Sequence, residues 1–378
     1  MTNAQRNTLL HLFKCAVSSV KGDASVRAWL SSHKIDRPTH IVAVGKAATA
    51  MFEGLPLGWR NAIPTYLVTK TGHIGNVVFD SNVVALETSH PIPDHSSLEA
   101  GKGLRDFVAG CPKGSHLLML VSGGASSLVE HLRPGVSGAD LVALTEAALA
   151  EGANIGKINK RRQAISVIKG GGLLASFKGQ QVDVLAISDV AGDSISVIGS
   201  GIGAAPENAS CAYGCSIVAS NAVARDAIVR ASNLRGIKTI TNQENMYADV
   251  LWVAARIAHE IMDGPEGLYI YGGEPTVVLP ENPGRGGRNQ ALALELARHI
   301  IDRNDIVGLV AGTDGTDGPT HAAGAFLDSK TYNKLPGAKK AQKCADSSDY
   351  LSRSGDALTT GPTGTNVMDL AVFLKQPS

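Results

Sequence analysis

The chain has 378 residues, 44% of them apolar, and a length beyond what one hydrophobic core usually organises, so two domains are expected. Its 35 basic and 34 acidic side chains leave a formal charge of +1, which argues against a nucleic-acid or membrane-surface binder. Five unpatterned cysteines suit a reducing compartment, residues 1–14 carry no apolar leader, and aspartates break the apolar run 182–202, so the chain reads as cytoplasmic.

In chain order, Ile41-Val42-Ala43-Val44 reads as a buried strand ending at Gly45, with a helix starting over 47–53. A second strand, 117–121, ends at Ser122-Gly123-Gly124, and a third, 182–187, ends at Ser188-Asp189. Short, continuously apolar strands followed by helices indicate a parallel sheet covered on both faces. In such sheets ligands bind beyond the carboxyl ends of the strands, which is where Lys46, the Ser-Gly-Gly turn and Asp189 fall. A helical stretch over 248–261 leads to Asp263-Gly264-Pro265-Glu266-Gly267, a candidate linker. Beyond it, 268–271, 276–279 and 307–311 read as strands and 290–301 as a helix. The expected architecture is α/β in two domains. A Rossmann-like parallel sheet with helices on both faces occupies 1–245, and a smaller α/β domain occupies 265–378.

Three glycine-rich turns crowd the C-terminal part: Gly284-Arg285-Gly286-Gly287-Arg288-Asn289-Gln290, Gly312-Thr313-Asp314-Gly315-Thr316-Asp317-Gly318, and Thr360-Gly361-Pro362-Thr363-Gly364-Thr365-Asn366. Glycine lets backbone N–H groups converge on an anion, arginine matches a phosphate bidentately, and neighbouring carboxylates suit Mg²⁺. Any one of these could be a plain turn; together they point to a phosphorylated, acidic substrate. Arg288 stands out among them, while Arg285 reads as solvent-facing. A lysine at a helix start opposes the helix dipole, so Lys46 reads as held for an anion, with a solvated lysine as the alternative. The run 122–127 either cradles phosphates or is a simple strand-to-helix turn. Asp189 is a catalytic or metal-binding carboxylate or a helix cap. No Walker A sequence is present, since Gly45-Lys46 lacks the upstream glycine and the following hydroxyl residue. The run 199–204 contains a lone G-x-G-x-x-A, a weak dinucleotide signal with Pro206 close behind.

In this order the segments resemble the glycerate 2-kinase family, whose C-terminal part is known as the MOFRL domain. The resemblance runs from Val44-Gly45-Lys46-Ala47-Ala48 and His90-Pro91-Ile92-Pro93-Asp94 through Ser122-Gly123-Gly124, Ile158-Asn159, Arg162, Ser166 and Lys169-Gly170-Gly171. It continues through Ile187-Ser188-Asp189-Val190, Gly272-Gly273-Glu274, 286–290, 312–319 and 360–366. It implies ATP- and Mg²⁺-dependent phosphorylation of D-glycerate at the 2-hydroxyl, with Lys46 and Arg288 essential in neutralising the transferred phosphoryl group. Asp189 would orient or deprotonate the hydroxyl, or hold Mg²⁺. Gly45, Ser122, Gly123, Gly124, Ser126, Gly286 and Gly287 would meet the nucleotide phosphates. Asn159, Arg162 and Lys169 would meet the substrate, and Asp314 and Asp317 the metal. Three departures bear on substrate choice: the run Ser200-Gly201-Ile202-Gly203-Ala204-Ala205-Pro206-Glu207, Ala291 in place of a frequent glutamate, and His321 in place of an acidic residue. A nicotinamide-dependent hydroxypyruvate reductase and a non-catalytic sugar-acid-binding regulator are the competing readings, and a homo-oligomer is left open.

Overall fold

The structure is a computed structural model and describes residues 1–150, 155–206, 208 and 211–377; Glu207 lies outside the described residues. The chain forms two compact units. One holds Lys21–Ser220 with Gly364–Asn366, and the other holds Met1–Val20, Asn221–Thr363 and Val367–Ser378.

The first unit is built on six parallel strands: β1 (His40–Val44), β2 (Thr65–Lys70), β3 (Val83–Thr88), β4 (His116–Val121), β5 (Gln181–Ile187) and β6 (Ala212–Ala219). Their order is β3-β2-β1-β4-β5-β6. Side chains alternate between faces along a strand, so a half-exposed strand would bury every second residue. Here every residue of β4 is buried, as are Ile41 to Val44 of β1, the mark of a sheet covered on both sides. Strand order reverses between β1 and β4, whose ends lie level at Val44 and Val121. That reversal opens the crevice in which doubly wound sheets bind ligands.

The second unit is a mixed sheet: β7 (Thr239–Met246), β8 (Gly267–Gly273), β9 (Ile306–Gly312), β10 (Gly324–Asp328), β11 (Ala357–Leu358) and β12 (Asp369–Lys375), in the order β11-β10-β9-β12-β8-β7. Only β7 and β8 pair in parallel. Tyr269, Tyr271, Leu292, Leu296, Val310 and Phe373 lie in its core.

The division differs from the expected break near 240–265. Helix Asn3–Ser19 buries Leu9, Leu12, Phe13, Ala16 and Val17, a stripe at helical spacing that packs on helix Asn221–Asn233. Residues 1–20 and 221–245 therefore belong with the C-terminal sheet. The segment 263–267 is no interdomain linker but the tight turn between helix Val250–Asp263 and β8. Lys375 Nζ donates to the carbonyls of Ile261, Met262 and Gly264 at 3.0, 2.8 and 2.6 Å, tying that helix end down. The strand expected over 276–279 is absent; Thr276 makes a single bridge to Asp249, and Val278 and Leu279 are exposed. Without a partner strand their backbone groups face solvent, and apolar sequence alone could not reveal that.

Candidate active site

At the end of β1, Gly45 adopts φ +130°, where a side chain would be strained and would overlap Ser122. Lys46 N donates to Gly123 O at 2.9 Å, and Ala47 N donates to Ser122 Oγ at 3.0 Å. Ser122 is thus buried and joins the ends of β1 and β4, a structural task rather than the expected contact with phosphate. Gly124, with φ +84°, sits between two side chains. A Cβ there would stand 3.0 Å from Lys46 Cγ and 3.2 Å from His90 Nε2. At Gly123 a methyl group would overlap the Asp189 carboxylate and the Asn366 amide. Asn366 Nδ2 donates to Asp189 Oδ2 at 3.1 Å. The parallel sheet therefore brings Lys46, Gly123, Gly124 and Asp189 to one end, as expected, and adds His90 and Asn366. Both additions lay in segments that the sequence singled out, but their side chains carried no independent signal.

A second group lies in the same unit. Arg162 Nη1 donates to Ser126 Oγ at 2.7 Å, Ser126 Oγ lies 2.6 Å from Ser200 Oγ, and Ser200 Oγ donates to Asn159 Oδ1 at 2.8 Å. Asn159 and Arg162 are thus brought together as expected. Ser126 is not free to greet phosphate, because its hydroxyl is committed to this chain. Lys169 departs further from expectation. It is buried, with Nζ donating to Val129 O at 2.7 Å and Ala125 O at 3.4 Å, so it is an internal cation rather than a substrate ligand.

Burial lowers the Lys169 ammonium to about 8, against the raising effect of Glu130. The unfolded chain would hold that proton to about pH 10.4. Between about pH 8 and pH 10.4 the unfolded state therefore binds more protons, and stability gains a rising contribution. Relative to a Lys169→Met variant, the protein should gain stability across that window in urea unfolding. Parallel pH profiles for the two proteins would overturn this placement.

In the other unit, Arg288 opens helix Arg288–His299. Its Nε and Nη2 donate to Asp369 Oδ2 and Oδ1 at 2.5 and 3.2 Å, and Nη1 meets Glu274 Oε1 at 2.9 Å. Asp369 is buried and also accepts from Asn289 Nδ2 at 2.9 Å. Neither Asp369 nor Glu274 had been given a role, since an acidic residue at a strand end carries no distinctive pattern.

Asp317 is not placed as a metal ligand. Its oxygens accept from Asn289 N at 3.0 Å, Gln290 N at 2.8 Å and Gln290 Nε2 at 3.0 Å. It caps the helix N-terminus from a distant loop, offsetting the dipole and the unpaired N–H groups there. Burial pushes its carboxyl up to about 6, against the lowering effect of those N–H donors. Gly287 is needed because a side chain would overlap Asp317, and Gly286 lies against Ser347. The Asn289 and Gln290 amides are taken by Asp317, and both glycines stand where close packing leaves no room for a side chain. Asp314 accepts from Thr316 N and Oγ1 at 3.0 and 3.1 Å. Among the described residues no three His, Cys, Asp or Glu side chains gather as a metal site. Arg285 is exposed, as expected, and so is His321. Ala291 lines a largely apolar cavity of about 250 Å³ with Val250 and Val277.

The run 199–204 does not behave as a dinucleotide fingerprint. Gly199, Ser200 and Gly201 have φ of +56°, +57° and +78° in a buried 3₁₀ turn, and no helix opens from it. No helix among the described residues is long and apolar enough to cross a membrane.

Two family models match the chain: a domain of unknown function, DUF4147, over residues 8–232, and the MOFRL family over residues 267–369. The chain is 33% identical to the D-glycerate 2-kinase of Thermotoga maritima, over 97% of each chain. It is 30% identical to the glycerate 2-kinase of Pyrococcus horikoshii, over 96% of this chain and 93% of that one. A relative from Agrobacterium vitis, 31% identical over 88% of this chain and 98% of its own, bears a provisional hydroxypyruvate reductase name. The crystal structure of glycerate kinase from Thermotoga maritima superposes with a TM-score of 0.84 at 30% identity, covering 99% of this chain and all of that one.

Proposed function

Because this chain belongs to the glycerate 2-kinase family, in which a DUF4147 domain precedes a MOFRL domain, we propose that it is a kinase that phosphorylates the 2-hydroxyl of D-glycerate with ATP. The products are 2-phospho-D-glycerate and ADP. The observation that carries this reading is the set of Lys46, Gly123, Gly124 and Asp189 at the switch point of the parallel sheet, in a chain that matches kinases along its whole length.

Phosphoryl transfer asks a protein for positioning and charge neutralisation more than for covalent chemistry. Lys46, at the mouth of β1, supplies positive charge to the phosphates. Asp189, oriented by Asn366, accepts a hydrogen bond from the 2-hydroxyl and takes its proton as the oxygen bonds to the γ-phosphorus. The bond from that phosphorus to the β-bridging oxygen breaks, and ADP leaves with its electron pair. In the other unit, Arg288 has its guanidinium plane set by Asp369 and Glu274 and keeps two further N–H donors of a kind that suits phosphoryl oxygens. Arg162 and Asn159 hold the substrate carboxylate.

Mg²⁺ usually keeps its waters and arrives with substrate phosphates, needing one or two protein carboxylates. The donor set fits that mode of binding and no dedicated cage. Asp317 is filled by N–H donors and Asp189 is assigned to the hydroxyl, which leaves Asp314 as the carboxylate that would hold it. When bound, the ion neutralises charge on the phosphate oxygens. The reductase reading has no support at the site, because its only sequence signal is the buried turn 199–201.

Purified protein with ATP, Mg²⁺ and D-glycerate should give 2-phospho-D-glycerate by phosphorus NMR, with NADH and hydroxypyruvate run in parallel. Oxidation of NADH with no phosphorylated product would replace the kinase by the reductase. Tight glycerate binding without either reaction would favour the regulator.

A further inference from the structure

Ser200 is a non-glycine residue held at φ +57°, ψ +30°, between two glycines that are also left-handed. A β-carbon in that conformation costs on the order of 1 kcal/mol or more, so glycine would be the cheaper residue. The side chain is 1% exposed, and its hydroxyl is fully engaged. Strain that persists at a buried polar side chain asks for a reason, and the hydrogen bonds supply one.

Asn159, Arg162 and Gln163 share one face of helix Ile155–Ile165, at spacings of three and four residues. Asn159 and Gln163 bond directly to the turn that Ser200 occupies, and Arg162 reaches it through Ser126. Gln163 Nε2 donates to Ser200 O at 3.1 Å, and Ser200 Oγ donates to Asn159 Oδ1 at 2.8 Å. Since the Asn159 oxygen can only accept, the Ser200 proton points there, and the Ser126 hydroxyl must donate to Ser200. Ser126 oxygen then accepts from Arg162 at 2.7 Å. The chain of bonds has a single direction: Arg162 to Ser126 to Ser200 to Asn159. At its head, Arg162 is 9% exposed and its Nε–H has no partner among the described residues. A buried guanidinium with an unused donor is poised for an anion.

We propose that Ser200 is a positioning residue for substrate recognition, and that it fixes Arg162 and Asn159 as one preorganised receptor for the carboxylate of a small hydroxy acid. The inference rests on the kinase reading for the identity of that acid. Ser200 itself touches no substrate. Its hydroxyl orients Ser126, which aims the Arg162 fork, and its second bond fixes the Asn159 amide. The left-handed backbone is what delivers the hydroxyl between the two.

Two variants separate hydroxyl from strain. Ser200→Ala removes the hydroxyl and keeps the strained β-carbon, whereas Ser200→Gly removes both. Each should raise KM for D-glycerate about tenfold, the loss expected when a charged hydrogen bond is loosened, with KM for ATP within about twofold. The preference for D-glycerate over glycerol, which lacks the carboxylate, should fall by a similar factor in both. Melting temperature should separate the two variants, with Ser200→Gly at least as stable as Ser200→Ala. Ser126→Ala combined with Ser200→Ala should be little worse than the poorer single variant, because both break one chain of bonds. An unchanged KM for D-glycerate in the stable Ser200→Gly protein would overturn the proposal, as would equal shifts in both KM values. Failure of the unmodified protein to phosphorylate D-glycerate would overturn the kinase reading instead. In that case D-glycerate binding to the unmodified and Ser200→Gly proteins by calorimetry decides the receptor, and equal affinities would end it.

Discussion

Replacing Arg288 with lysine is expected to lower kcat at least about a hundredfold while leaving the melting temperature within a few degrees. The expectation follows from geometry rather than charge, which the substitution keeps. The guanidinium bridges three carboxylate oxygens, two on Asp369 and one on Glu274. A lysine ammonium is a point charge on a flexible stem and cannot hold both partners while also presenting a planar fork. Removing a preorganised donor to developing charge costs about 10² to 10³ in rate. Arg288→Ala should lose at least as much activity, but it also strips the buried Asp369 of its cationic partner, leaving the Asn289 amide. That variant would confuse stability with chemistry, which makes lysine the sharper test. Steady-state kinetics with saturating ATP and D-glycerate provide the readout, and a lysine variant within threefold of the parent would remove Arg288 from the proposed chemistry.

The second large effect concerns Asp189. Asp189→Asn should reduce kcat by about 10² to 10⁴, the usual contribution of a positioned general base, with much smaller changes in KM. Gly123→Ala should reproduce much of that loss without touching any reactive group. A methyl group at residue 123 occupies the space of the Asp189 carboxylate and the Asn366 amide, so one of them must move. The backbone itself is not the obstacle, since Gly123 is not among the positive-φ glycines. Agreement between the two variants would tie the rate to the position of that carboxylate. A fully active Gly123→Ala enzyme with an inactive Asp189→Asn enzyme would show that the Asp189–Asn366 geometry is looser than it stands here.

The parallel sheet and its loaded end were legible because local signals coincide there. Ile41 to Val44, 117–121 and 182–187 are unbroken apolar runs, and in a sheet buried on both faces nothing interrupts such a run until the strand ends. Lys46, Gly123 and Asp189 follow directly, so finding the strand ends found them. Arg288 was legible because glycines and a following helix framed it, and the family resemblance tied the pieces to one reaction.

Tertiary structure decided what local sequence cannot encode: which distant group meets which. Asp314 and Asp317 lie three residues apart in one glycine-rich turn, yet Asp317 is filled by the N–H groups of Asn289 and Gln290 while Asp314 binds within its own turn. Arg162 and Lys169 looked equivalent as cations; one keeps a donor without a partner among the described residues and the other is spent on main-chain carbonyls. Helix Asn3–Ser19 declared an apolar stripe but not its partner, and only packing on Asn221–Asn233 set it with the C-terminal sheet. An apolar run ends where the strand ends, so it can be seen in one segment. A carboxylate's role depends on donors that arrive from elsewhere in the chain, and only the fold brings them.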